Sequence, residues 1–429
     1  MDKVPPRGVP LLYLGTAHAA LGLAFLLAAW WPRAVAGFFY HAWMVALVHL
    51  VTLGWITFSI FGAFYIVGPL ALRTDMRARR MDVVAWVLGL GGLAGMVGHF
   101  WIEEYSGMAW SATPVACAVL FMTTRIAAAI WRAPIAAAVR LHVVLACVNV
   151  WLAAGMGILI AIDRATPVLP GFVLSNVFAH AHLAAVGWAV MMVVGIGYRL
   201  LPMVLPSKMP AGRSMYASAI LLEAGVLGLF VTLLAHSAWS VLFGILIAAG
   251  LGVFGAHVVW MLRHPAPKPS GAPPFEFAVA HAACAGASLV AALVLGLALV
   301  VVPTSEESLH AAAAYGVLGL VGFLAQMVVA MEARLLPMVT WCWAFASNGY
   351  QVPPPPPHAM RDRRLQALVL AGWVVGVPAL AAGMALESAP LVGVGAWTLL
   401  SAVGIAAIDH GWVLAHARRA AAARSTEAA

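Results

Sequence analysis

Twelve stretches of this sequence are apolar over the length a lipid bilayer demands. They run over residues 10–31, 42–71, 83–102, 108–130, 138–162, 173–203, 215–235, 239–262, 276–302, 308–338, 366–386 and 390–416. A helix crossing a ~30 Å hydrocarbon core needs about 20 such residues. In lipid, backbone polar groups must pair within their own segment, so runs of this length specify helices. Of the 429 residues, 64% are hydrophobic and 9% charged, a profile outside soluble folds. The expected fold is all-α, a polytopic membrane protein with about twelve transmembrane helices.

Two of the segments carry one pattern at one spacing. In the second, His49 is followed by Gly54, Trp55, Gly62, Tyr65 and Pro69; in the sixth, His182 is followed by Gly187, Trp188, Gly195, Tyr198 and Pro202. The tenth keeps Gly322 and Pro337, with Phe323 in the tryptophan place and Val317 in the histidine place. The histidine-to-proline offset is 20, and the three prolines lie 133 and 135 residues apart. Twelve spans therefore divide into three pseudo-repeats of four. The units are 1–133, 134–266 and 267–429, joined in one integrated membrane domain.

The net charge of +8 is topological rather than a nucleic-acid signal, and no nucleic-acid partner is expected. Of the 23 basic residues, 21 fall before the first segment, after the even-numbered ones or at the C-terminus, leaving Arg33 and Arg164 on the other side. The positive-inside rule then puts both termini in the cytoplasm of a bacterial-type inner membrane. Cys117, Cys147, Cys284 and Cys342 form no CxxC pair and read as buried structural thiols. No cleavable signal peptide is expected. His264 to Phe275 and the proline run Pro353 to Pro357 read as extended linkers between units.

The histidines carry the chemistry. His49 lies about eight residues into its segment, roughly 12 Å down at 1.5 Å per residue, and the repeat gives His180 and His182 a similar depth. Residues two apart on a helix point about 200° apart, so His180 and His182 can serve different sites. An ionisable group at membrane depth is a functional hypothesis by default. His41, His99, His236 and His310, near the same side, are secondary candidates, with copper as the metal they could hold. His18, His142, His257, His281 and His410 read as packing residues. Glu223 and Asp409 are candidate proton carriers, and Glu332 and Arg334 read as interfacial.

Imidazoles on two neighbouring helices between apolar walls suit haem better than a bare ion, which wants three or more converging ligands. The glycines five and thirteen residues after each histidine would let a flat ring, or another helix, approach closely.

With these residues set out, the chain resembles the catalytic subunit of the heme–copper oxidase and nitric oxide reductase superfamily, as a divergent member similar to the NnrS group. That superfamily has twelve helices in three arcs of four. The stretch from His49 to Pro69 looks like its second helix, and the stretch from His180 to Pro202 like its tenth. The resemblance implies that His49 and His182 ligate a low-spin haem and that His180 faces a high-spin haem. It thus implies one or two haems b and, as a second metal, copper. The tenth-helix motif stands on the sixth segment here, and the superfamily's His-His pair for the second metal is absent.

The function expected from the resemblance is electron transfer, or binding and reduction of NO or O2, with a lean toward oxidoreductase activity. The partners are then the lipid bilayer, a cytochrome or quinol electron donor and a diatomic gas. The contrasting expectation is a proton-coupled or metal-ion transporter, built on the buried histidines with Glu223 and Asp409. Against it stand repeats with an even number of helices, which run parallel rather than inverted.

Overall fold

A computed structural model describes residues 4–267, 273, 275–345 and 356–427, with side chains to residue 416. Among these, twelve helices are long and apolar enough to span a membrane. We number them α1 (Gly8–Trp30), α2 (Ala42–Leu70), α3 (Arg80–Trp101), α4 (Tyr105–Arg132), α5 (Ala137–Ala165), α6 (Val173–Val204), α7 (Ser214–Leu234), α8 (Ser240–Arg263), α9 (Phe277–Val301), α10 (Glu306–Phe345), α11 (Arg363–Ala385) and α12 (Ala389–His416, continuing to Glu427). No strand occurs among the described residues, so the chain is an all-α polytopic membrane protein. The linker expectations on residues 268–272, 274 and 353–355 lie outside the described residues.

The packing follows the repeat. α2, α6 and α10 meet at the centre. The third and fourth helices of each unit form a hairpin: α3 with α4, α7 with α8, α11 with α12. The first helix of each unit packs on its own second helix and on the last helix of another unit. Thus α1 seats against α2 and α12, α5 against α6 and α4, and α9 against α10 and α8. No unit buries its own apolar faces alone, and the three close on one another as a ring of helices around three central ones.

The expected glycine clearances are filled by helices. A methyl group at Gly54 would strike Ala20 of α1, one at Gly187 would lie 2.8 Å from Asn149 Cβ of α5, and one at Gly322 would lie 2.7 Å from Ser288 Oγ of α9. The glycine five places after the repeat histidine is thus where each unit's first helix crosses its second. Gly62 and Gly195, eight residues later, admit Leu14 and the Cβ of His142.

At the end opposite the termini, Trp31, Trp43 and Trp101 cluster, the last two stacked at 4.9 Å, as aromatic rings do at a membrane interface. At the other end, the Trp343 indole donates to Pro5 O (2.8 Å) and Arg7 donates to Trp343 O (2.7 Å). These bonds tie the end of α10 to the segment before α1. They accompany a helix that continues seven residues past the apolar stretch ending at 338, to Phe345.

Candidate functional site

Each central helix changes winding at the repeat. The residues after His49 (Leu50–Thr57) and after His182 (Leu183–Val190) form π-helix, and Val317–Ala325 does so in α10. The Thr57 hydroxyl donates to the carbonyl of Thr52, five residues back, at 2.9 Å. Such runs are rare and concentrate at functional sites, because the wider winding redirects side chains and backbone groups. Here the three π segments contact one another pairwise along the central axis.

The tryptophans of the repeat bond across that axis. Trp188 Nε1 donates to Thr57 Oγ1 (3.1 Å), joining α6 to α2. Trp55 Nε1 donates to Ala325 O (3.2 Å), joining α2 to α10. Donors stand six places, and acceptors eight places, after the repeat histidine position, so one bond is used twice around a pseudo-threefold axis. The third would run from position 323 on α10 toward α6. Phe323 has no donor, and this link is missing.

Toward the end opposite the termini, the histidine layer supplies another link on that side. His182 donates through Nδ1–H to Phe178 O (2.7 Å), which fixes its tautomer and leaves Nε2 as acceptor. The Tyr315 hydroxyl of α10 bonds to that Nε2 at 3.2 Å, and the two rings stack at 6.0 Å with planes 22° apart. His49 donates to Val45 O (2.8 Å) in the same i−4 pattern and stacks on Phe100. His180 donates to Ala153 O of α5 (3.0 Å), with Gly157 leaving space beside its ring. His180 and His182 thus turn toward different helices, as their two-residue spacing requires.

Tyr315 was not among the sequence candidates. It stands two places before Val317, the place that His180 occupies before His182. Extending the repeat comparison by two residues would have found it. The layer therefore holds His49 against Phe100, His180 against α5, and His182 beside Tyr315.

The secondary candidates are not drawn into this layer. His41 caps α2, accepting from Met44 N–H (3.4 Å) and donating to Ala34 O (3.0 Å). His99 is bonded to Ser111 (2.9 Å) and His236 to Ser175 (3.4 Å). His310 pairs with Glu387 at 2.9 Å. Among the described residues, none of the four belongs to a cluster of three metal-ligating side chains.

The cluster of three that does form is His18 of α1, Glu332 of α10 and His410 of α12, with ligand atoms all within 4.8 Å of one another. Two of these residues read as packing side chains in the sequence and the third as interfacial. Glu332 is instead 6% exposed and walls a cavity of about 290 Å³. Arg334, two residues on, pairs with Glu276 at 3.1 Å. Of the proposed proton carriers, Glu223 accepts from Asn149 Nδ2 (2.8 Å), and Asp409 forms a buried ion pair with Arg361.

Comparison with known proteins gives no match, either among family models or among curated sequences.

Proposed function

We propose that this chain binds haem at the His49, His180 and His182 layer and acts in electron transfer or in the binding and reduction of NO or O2. The observation that carries the proposal is the state of the three imidazoles. Each commits Nδ1 to a backbone carbonyl, which orients the ring and leaves Nε2 as the ligand nitrogen, held at His182 by the exchangeable Tyr315 hydroxyl. A carbonyl behind the ring is the arrangement metal-ligating histidines use to fix tautomer and raise basicity. Aromatic faces at Phe100 and Tyr315 supply apolar walls. The residues present therefore fit the group.

By the resemblance, His49 and His182 would hold one haem, and His180 would face a second. When bound, haem supplies one-electron chemistry and an iron position for a diatomic ligand. The protein's part is to orient the imidazoles through their carbonyl bonds, to exclude water by packing, and to release the Tyr315 hydroxyl from His182 Nε2 when that nitrogen takes a ligand. Electrons would come from a cytochrome or quinol partner. The distribution of basic residues supports a bacterial-type inner membrane with both termini cytoplasmic.

The test is the absorption spectrum of detergent-purified protein, oxidised and dithionite-reduced, with a pyridine haemochrome count. The expected result is a Soret band with a sharp reduced α-band. It should be lost in His49→Ala, and the effects of His182→Ala and His180→Ala identify the second ligand. A colourless protein expressed with full haem supply sinks the proposal. That outcome would favour a proton-coupled or metal-ion transporter, a reading supported by the half-buried Glu223 of α7 and the buried carboxylates of α10 and α12.

A further inference from the structure

The carboxylate of Glu332 is buried in the membrane-spanning part of α10, and neither of its oxygens makes a hydrogen bond. An ionised carboxylate in such surroundings is costly unless a cation or donors compensate it. The nearest guanidinium, Arg361, is already committed to Asp409 and to Ala333 O (3.0 Å). What faces Glu332 is a pair of imidazoles. His18 Nε2 lies 3.4 Å from Oε2, and the His410 ring meets the His18 ring edge-on at 5.0 Å. His18 directs Nδ1 to Leu14 O (3.1 Å), which leaves Nε2 turned toward the carboxylate.

The three side chains come from three different helices and share one cavity, walled otherwise by apolar groups such as Leu14, Ala63, Ile66 and Leu335. Trp55 packs edge-on against His18 at 5.0 Å and fixes the ring from behind. Two imidazoles and one carboxylate, with open space on the remaining side, form the donor set that binds divalent first-row metals with free coordination positions. With bonds of about 2.1 Å, ligand atoms around a tetrahedral ion stand about 3.4 Å apart. The present separations, up to 4.8 Å, close to that value by small side-chain rotations.

We propose that His18, Glu332 and His410 bind one divalent transition-metal ion. The site is separate from the His49 layer, and the proposal does not rest on the haem reading. Trp55, which touches His18, stands six residues after His49 on the same helix.

The test uses Zn2+, so that haem iron does not enter the count. Full-length protein in detergent is stripped with chelator, dialysed against graded Zn2+ and analysed for bound metal. Wild type and His49→Ala should each hold one equivalent. Glu332→Gln, nearly isosteric, and His410→Ala should each weaken binding at least a hundredfold while eluting as the same monodisperse species. Zinc-edge absorption on the wild type should report two imidazoles and oxygen, and it decides the matter even if a variant fails to fold. The proposal is overturned if wild type holds no zinc, as a plain His18–Glu332 ion pair would behave. Equal binding by Glu332→Gln, or a zinc shell lacking two imidazoles, would also overturn it.

Discussion

The two polar centres of this molecule arise in opposite ways. The His49, His180 and His182 layer lies on the pseudo-threefold axis, and its parts recur: the same i−4 carbonyl bond, the same π segment, the same tryptophan bond. The His18, Glu332 and His410 cluster lies off the axis, where α1 of the first unit meets α10 and α12 of the third. Its carboxylate is not repeated: the places corresponding to Glu332 hold Gly197 and Phe64. Repetition built the first centre, and the closing of the ring built the second. A repeated feature tolerates the loss of one copy, as Phe323 illustrates, whereas a single convergence has no spare.

That contrast can be broken by substitution. The largest effect is expected off the axis, beside the second centre. Asp409→Ala strips the partner from buried Arg361 and should cost about 3–5 kcal/mol, read as a lowered midpoint of thermal unfolding in detergent. A midpoint as high as that of wild type would show that the off-axis region carries little of the stability. On the axis, Gly54→Ala and Gly187→Ala force a methyl group against α1 and α5 and should cost about 1–3 kcal/mol each. Gly319→Ala, which opens into free space, serves as control and should melt as wild type does. If either tight glycine costs more than Asp409→Ala, the axis and not the seam is the weak point.

Trp188→Phe copies into α6 what α10 already has at Phe323. Removing its bond to Thr57 should cost about 1 kcal/mol. A much larger loss would mean that the ring cannot spare a second tryptophan. The smallest effect is expected for Tyr315→Phe, which keeps the stack on His182 and loses one bond between part-buried groups, about 0.5–1 kcal/mol. Unfolding midpoints of the single and double variants, compared in a cycle, would reveal whether the tryptophan and tyrosine links act together.

The sequence made the symmetric half of the architecture legible. Apolar length located all twelve helices, and the constant offset from histidine to proline identified the three central ones. The π segments were not legible, because Leu50–Thr57 is apolar nearly throughout and its hydrophobic pattern carries no period that separates one winding from the other. Glu332 was misread because Arg334 follows it closely, a pairing that suggests a helix end. α10 in fact continues 13 residues beyond Glu332, to Phe345. The convergence of residues 18, 332 and 410 depends on which helices adjoin when the ring closes. No local pattern encodes that adjacency.

The Tyr315–His182 bond has a thermodynamic consequence. It spans the one central interface that lacks a tryptophan link, and it occupies the nitrogen a ligand would use. Whatever coordinates at His182 Nε2 must displace the tyrosine hydroxyl and forgo about 1 kcal/mol of inter-unit attraction, roughly a fivefold penalty in affinity. By reciprocity, a ligand held there loosens α10 from α6 by the same amount. Occupancy at the centre and closure of the ring are then two readings of one equilibrium.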